Sequence, residues 1–304
     1  MFTNTKIYDA SQLILPWNVL SEYCFVRMFA YCTNLKYAPK LPAEYLATFC
    51  YQSMFSSCSK LVDIPELNSM HLARYCYCSM FDQCAAITEN KLLPATNLPD
   101  NCYQQMFINC KNLTKVTDLN ATSLSDGSQQ YIQMFYGCTS LVTAPKINAT
   151  VLSSNCYNGM FMNCTSLVNA PSLSATKLEY GCYNQMFSGC SSLVQAPQLP
   201  ATTLEPTCYS GMFMNCTSLV NAPSLTATTL VRICYNQMFF GCTSLVTAPE
   251  LPSTTLADRC YEQMFYNCSK LNYVKVNFTD WGNGTQTSNW LYGVAASGTF
   301  DAPP

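Results

Sequence analysis

The chain of 304 residues carries little charge. Only 11% of its residues are Asp, Glu, Lys or Arg, and its formal net charge is −2, whereas a typical soluble domain is about 25% charged. Nucleic-acid binding needs clustered Lys and Arg against the phosphates, so we expect no nucleic-acid partner. The surface must instead consist mainly of uncharged polar side chains such as Ser, Thr and Asn.

Residues for catalysis or metal binding are also scarce. His71 is the only histidine, so the chain cannot repeat a Ser-His-Asp or Cys-His set. Zinc sites use closely spaced pairs such as C-x₂-C, usually with histidine, and the sequence contains no C-x₂-C. Glycine-rich phosphate-binding loops are missing as well. We therefore predict no enzyme activity, no metal and no cofactor.

Long apolar runs and the pattern of a signal peptide are also not found in these residues. No stretch of roughly 18 apolar residues occurs, which predicts that no segment spans a membrane. The opening residues, MFTNTKIYDASQLILPW, lack the charged-then-apolar layout of a secretory signal peptide. If the protein works outside the cell, we expect that a signal was trimmed or that the protein travels another way, for example on a virus particle.

What the sequence does contain is an internal repeat. The dipeptide Met-Phe begins at residues 28, 54, 80, 106, 134, 160, 186, 212, 238 and 264, so every interval is 26 residues except one of 28. Counting Cys24 and its equivalents as position 1, Met is position 5, Phe is position 6 and a second cysteine is position 9. Position 9 is Cys in all ten copies, and position 1 is Cys in nine, with Gln130 as the exception.

The fixed positions predict the local structure of each copy. Positions 1, 5 and 9 fall on one face of a helix, and Gly or Asn at position 8 suits the left-handed residue that closes a helix. The following segment, CTSLVTAP at 242–249, suits a brief strand stopped by proline. Such units bury their apolar side only by stacking. The sequence therefore predicts an α/β solenoid of the leucine-rich-repeat type, with ten 26-residue repeats that each hold a short helix and a short strand.

The two ends of the chain depart from the repeat. Residues 1–20 match only the end of a copy and are predicted to form an N-terminal partial repeat or cap, followed by the solenoid over 21–276. Residues 277–304 are predicted to be a C-terminal cap and tail, because Trp281, Trp290 and Phe300 could cover the exposed end of the core.

Most cysteines belong to the repeat, and three interpretations of them are open. Cysteines within one copy lie eight residues apart, too far along a helix for a disulfide. Free thiols buried in the core are the favoured interpretation, because Cys behaves as a small apolar residue. Disulfides between equivalent positions of neighbouring copies are the second, and redox catalysis is a weak third. Gln130, in a column of cysteines, should need a hydrogen-bonding partner.

The letters MF-x-x-C-x-x-L, recurring with Ala-Pro and Ala-Thr-x-Leu between them, resemble the BspA-like leucine-rich repeat family. MFSGCSSL at 186–193 and MFFGCTSL at 238–245 match most closely, and the resemblance covers about residues 20–275. It implies a solenoid found on secreted or surface proteins of anaerobic gut and oral bacteria and some protozoa, where members are associated with adhesion. The family shares a scaffold and no fixed functional residues, so the resemblance implies no site.

Two columns of variable residues are candidate binding surfaces. Position 14 lies in the predicted strand and should point outward as a polar ladder. Its residues are Tyr37, Asp63, Glu89, Lys115, Thr143, Asn169, Gln195, Asn221, Thr247 and Tyr273. Position 7 lies opposite the core stripe on a helical wheel, yet it is mostly large and apolar, which makes it a candidate contact column. Its apolar residues are Ile108, Tyr136, Met162, Met214, Phe240 and Tyr266.

These observations favour a non-enzymatic binding or adhesion module that presents an extended polar face to a protein or glycan ligand. The alternative is a structural spacer or presentation scaffold within a larger surface or virion assembly. Either function predicts a cell-surface or extracellular location.

Overall fold

The computed structural model describes residues 2–303 as a stack of 26-residue turns, which we call rungs. Through most of the stack residue i lies beside residue i+26, and beside residue i+28 across the two-residue insertion near Gln130. The offset is 28 between Asp9 and Tyr37 and 25 between Leu251 and Val276. The core runs without interruption along the stack, from Phe29 to Trp290. These contacts confirm the predicted repeat solenoid, since each rung buries its apolar side against its two neighbours.

The segment around Met-Phe forms a ribbon of hydrogen-bonded turns. Alternate N–H groups donate to the neighbouring rung, as Phe187 N–H does to the Met212 carbonyl at 2.9 Å. The N–H groups between them donate three residues back within the same rung, as Met186 N–H does to the Tyr183 carbonyl at 3.2 Å. Each ribbon therefore satisfies half of its donors locally and half through the stack.

The predicted helices are wrong: over residues 2–303 the chain contains no α-helix. In most rungs, residues four apart in the ribbon adopt a positive φ, at position 8, at position 4 and just before position 1. In one rung these are Gly189 with φ 75°, Gln185 with φ 53° and Gly181 with φ 57°. A helix cannot contain such residues. Position 8 is left-handed as predicted, but it continues a repeated backbone pattern and does not close a helix.

The spacing of apolar residues could not distinguish the two structures. The ribbon brings residues four apart to the same side, whereas a helix does so every 3.6 residues. Over the nine residues from position 1 to position 9, the two periods differ by less than one residue. Cys182, Met186 and Cys190 are therefore buried in the same order that a helix would bury them.

The predicted short strand in every repeat is also wrong in detail. Only two strands occur in residues 2–303, β1 (Tyr273–Lys275) and β2 (Thr299–Asp301), and they pair in parallel. In the other rungs the segment after the ribbon makes isolated parallel β-bridges, such as Gln195 with Asn221. Proline two residues later in most rungs lacks the N–H group that would extend the pairing.

Two ladders of aromatic rings fill the core. One contains the Phe of position 6 and the other the aromatic residue of position 2. Phe29 and Phe55 have ring centroids 5.5 Å apart and an angle of 3° between their planes, and Tyr51 and Tyr77 are 6.0 Å apart at 2°. Such small angles mean that successive rungs rotate little relative to one another.

The cysteine column at position 9 lies between the rungs. Cys190 donates its S–H to the Phe161 carbonyl of the preceding rung at 3.1 Å, and the other position 9 cysteines make the same contact with their neighbours. Among the twenty cysteines, all are free and only Cys24 is less than fully buried. The prediction of buried free thiols is confirmed.

Gln130 replaces the cysteine of position 1 and is completely buried. Its amide nitrogen donates to the Leu124 carbonyl at 2.9 Å and to the Leu98 carbonyl at 3.2 Å. Its amide oxygen accepts a hydrogen bond from Ser153 Oγ at 2.8 Å. The predicted need for hydrogen-bonding partners is therefore confirmed.

Aromatic residues outside the repeats stack on both ends of the ladders. Phe2 stacks on Phe29, with ring centroids 5.3 Å apart. At the other end Trp290 lies 6.3 Å from Phe265 and 6.5 Å from Tyr261. The pairing of β2 with β1 extends the 26-residue register through the tail.

Candidate functional site

The position 14 column follows one edge of the stack as a line of parallel bridges. Its paired residues are Tyr37–Asp63, Glu89–Lys115, Thr143–Asn169, Gln195–Asn221 and Thr247–Tyr273. Eight of the ten side chains are exposed, while Tyr37 and Tyr273 are half-buried. The backbone of this column is thus fixed by the stack, and its variable side chains face the solvent.

A groove of about 520 Å³ lies beside the first rungs of this column. Buried apolar residues such as Pro39, Ile64 and Pro65 line it, and charged residues surround them. The charged lining residues are Lys40, Asp63, Glu66 and Lys91. Shallower grooves recur at the Ala-Pro segments of later rungs, at Ala144–Asn148 and Ala222–Leu225. The first groove combines an apolar floor with both signs of charge, which suits an extended ligand with mixed polarity.

The position 7 column lies elsewhere on the rung, at the end of the ribbon. All six of its apolar candidates are half-buried. Phe240 stacks on Tyr266 at 4.9 Å, and Tyr266 stacks on Tyr292 at 4.8 Å. The Tyr136 hydroxyl accepts a hydrogen bond from Asn163 Nδ2 at 3.1 Å. These side chains contact their neighbours along the stack and leave only part of their surface open, and the structure does not bring them together with position 14.

The buried thiols are poor nucleophiles. Burial raises the pKa of the Cys164 thiol to about 12, and it raises the pKa of the Cys190 thiol well above its usual range. A thiolate is the reactive and metal-binding form, so burial keeps this column protonated at neutral pH. In residues 2–303, no three His, Cys, Asp or Glu side chains converge to hold a metal ion.

A third exposed column, at position 13, was missed from the sequence. Val142, Val168, Val194, Val220 and Val246 follow one another along five rungs, each 41% to 47% exposed. In a regular strand, alternation from the buried Leu of position 12 would point position 13 outward and position 14 inward, whereas the structure exposes both. The signal that could have found it is this alternation, because the valine directly follows a leucine that is buried in every one of these rungs.

Comparison with known proteins gives no assigned family. No protein-family model matches the chain, and no curated protein matches it. Two solved structures resemble it. One is a leucine-rich repeat protein from Bacteroides ovatus, with 19% identity over 83% of this chain and a TM-score of 0.37. The chain spans 64% of the length of that protein, which is less than two thirds.

The second structure is a leucine rich cell surface protein from Faecalibacterium prausnitzii, with 15% identity over 87% of this chain and 71% of the other, and a TM-score of 0.35. The 26-residue contacts within this chain define it as a solenoid. Across residues 2–303, no helix has the length and apolar character needed to cross a membrane.

Proposed function

We propose that the protein is a non-enzymatic binding module of the BspA-like leucine-rich repeat type, acting at a cell surface or outside the cell. The ligand is a protein or glycan, and it binds along the position 14 column. The observation that carries the proposal is the exposed polar ladder with a groove of about 520 Å³ beside its first rungs.

The first rungs are the favoured part of the column. Asp63 belongs both to position 14 and to the groove lining, where Lys40, Glu66 and Lys91 supply three further charges. Lys91 Nζ is 3.7 Å from Glu66 Oε1, so these two partly neutralise each other, whereas Asp63 and Lys40 form no ion pair among the described residues. A rigid backbone that holds such side chains lowers the entropic cost of binding.

The test is a screen of the purified chain against immobilised extracellular-matrix proteins and a glycan array at low ionic strength. Asp63→Ala and Lys40→Ala should each weaken binding to the ligand found by about tenfold, as expected for groups that contact a ligand directly. Asn221→Ala, in the same column but away from the groove, is the matched control and should bind like the unmodified chain.

A spacer or presentation scaffold is the second candidate, favoured by the unbroken aromatic ladders from Phe2 to Phe265. A spacer would show no binding in the screen, or binding that no position 14 substitution changes. Either outcome would overturn the binding proposal in favour of the scaffold.

A further inference from the structure

We infer that the five rungs from Val142 to Glu250 form a self-complementary surface, and that this surface binds a second copy of the same chain. We call it the central face. It consists of positions 13, 14 and 17 in these rungs, and all fifteen of its side chains are exposed. In the first rungs, positions 14 and 17 line the same groove, as Asp63 and Glu66 do.

The central face reads the same in both directions along the stack. Position 13 is valine throughout, so the exposed apolar stripe is symmetrical about Val194. Position 14 gives the palindrome Thr143, Asn169, Gln195, Asn221, Thr247. Consider a two-fold axis that lies in the interface and runs parallel to the rungs. It makes the rungs of the second copy run in the opposite order, and it places each position of one copy opposite the same position of the other. Each residue of one copy then meets a matching residue of its partner, which is the condition for an isologous dimer.

A simple alternation of two kinds of rung could by itself produce such a palindrome. It would not explain the charged residues at position 17. Position 17 reads Lys146, Ser172, Gln198, Ser224, Glu250. The three inner residues are uncharged and symmetrical, and the outer two have opposite charge. The two-fold axis through the central rung places Lys146 of one copy opposite Glu250 of the other, at both ends of the face.

The next rung outward extends the same complementarity. Lys275 is position 16 by count, but Leu251 pairs with Val276, 25 residues on, so Lys275 lies beside Glu250, where position 17 lies in the other rungs. Lys146 Nζ lies 3.9 Å from Asp118 Oδ2, and Lys275 Nζ lies 3.1 Å from Glu250 Oε1. In chain order, each end of the face carries an acid and then a base. These are Asp118 and Lys146 at one end, and Glu250 and Lys275 at the other. When the order is reversed, Asp118 of one copy faces Lys275 of the other, next to Lys146 facing Glu250, so each end becomes an alternating cluster of four charges.

The charges also select one register. A dimer shifted by one rung would still place most valines on valines. It would also bring two like charges together, Lys146 opposite Lys275 for a shift in one direction or Glu250 opposite Asp118 for a shift in the other. The apolar stripe supplies contact area and the charged ends supply the register, the division of roles usual at protein interfaces.

The size of the face sets the strength of the contact. Together with the charged rung at each end, the central face spans seven rungs. At about 4.8 Å per rung and a width of about 13 Å, these cover roughly 450 Å² on each copy, or about 900 Å² in total, which is typical of weak and transient complexes. The dimer should therefore form reversibly, at concentrations from micromolar to near-millimolar. The first groove lies outside the central face, so this inference does not depend on the proposed ligand.

The experiment is sedimentation velocity over that concentration range, without any ligand. The unmodified chain should dimerise, and Val194→Lys should be monomeric because it places two lysines together on the axis. Val62→Lys, equally exposed but in an outer rung, is the matched control and should dimerise normally. A chain that stays monomeric at near-millimolar concentration would overturn the inference.

Charge-swap variants then test the two-fold register. Lys146→Glu alone places Glu opposite Glu250, and Glu250→Lys alone places Lys opposite Lys146, so each should dimerise about tenfold more weakly. Mixing the two variants makes a heterodimer in which every facing pair has opposite charge, and association should return. If mixing restores nothing while the unmodified chain dimerises, the proposed face is wrong. The ligand screen with Asp63→Ala is unaffected by either result, so the two proposals fail separately.

Discussion

The amide oxygen of Asn163 lies over Gly189 in the next rung, in the space that a Cβ atom on Gly189 would occupy. The same relation joins Asn109 to Gly137 and Asn215 to Gly241. Asn and Gly alternate at position 8 because an Asn side chain in one rung requires a residue without a side chain in the next. Two successive rungs, 52 residues in all, therefore form one packing unit.

Gly189→Ala should destabilise the protein by about 2 kcal/mol, from the contact with Asn163 and from the left-handed backbone at φ 75° together. Asn163→Gly removes the overlapping side chain and keeps a residue that tolerates a positive φ. In a double-mutant cycle followed by urea unfolding, the combined variant should lose clearly less than the sum of the two single changes. Simple additivity would contradict the packing explanation.

Ile233 should be a point of strain. It is β-branched and has a φ of 62°, at the place in the rung where other copies have Asn155 or Gly181. Ile233→Asn should raise the free energy of unfolding by about 1 kcal/mol, since asparagine tolerates this conformation better. Val246→Asn, an exposed β-branched residue without a positive φ, is the control and should give no gain. A loss of stability in Ile233→Asn would show that the buried part of the side chain outweighs the backbone strain.

Trp290 should act as the C-terminal cap, as we propose for the tail 277–304. Trp290 is 8% exposed and Trp281 is 41% exposed. Trp290→Ala should cost about 3–5 kcal/mol, and Trp281→Ala should cost much less. Because Phe265 N–H donates to the Trp290 carbonyl at 2.9 Å, hydrogen exchange in Trp290→Ala should accelerate first at the C-terminal rungs. Uniform acceleration along the stack would contradict a local cap.

The buried thiols predict loss of stability in alkali. The ordinary pKa is 9.0, and burial raises the pKa of the thiols of Cys58, Cys164 and Cys268 to about 12 in the folded chain. Above pH 9 the unfolded chain loses these protons and the folded chain keeps them, so rising pH favours unfolding by about 1.4 kcal/mol per thiol and pH unit. Stability should be flat from pH 6 to 8 and collapse between about pH 9 and 11.

Chemical denaturation at a series of pH values measures this effect. Above pH 9, the free energy of unfolding of Cys164→Ala should fall less steeply with pH than that of the unmodified chain, by the contribution of one thiol. This holds whatever the substitution does to stability at neutral pH. A stability profile that stays flat to pH 11 would contradict the buried and protonated assignment.

The sequence revealed the repeat, the stacking and the buried columns, because Met-Phe and the cysteines recur at a constant interval. It did not reveal the backbone, because burial of Cys182, Met186 and Cys190 fits a helix and a ribbon of turns equally well. The residues with positive φ distinguish the two structures. Gly181, Gln185 and Gly189 follow one another at intervals of four residues, and no helix contains such a series of left-handed residues. The exposure of both Val194 and Gln195 was also hidden, since a regular strand would point only one of two neighbouring side chains outward.

The central claim is that each rung lies directly against the next along the chain, and zero-length carbodiimide cross-linking tests it most directly. Three lysines form ion pairs with acids of the adjacent rung: Lys91 with Glu66 at 3.7 Å, Lys146 with Asp118 at 3.9 Å and Lys275 with Glu250 at 3.1 Å. At a concentration too low for association, mass spectrometry should find these three amide cross-links. Cross-links from the same lysines to acids two or more rungs away, with these three missing, would contradict the stack.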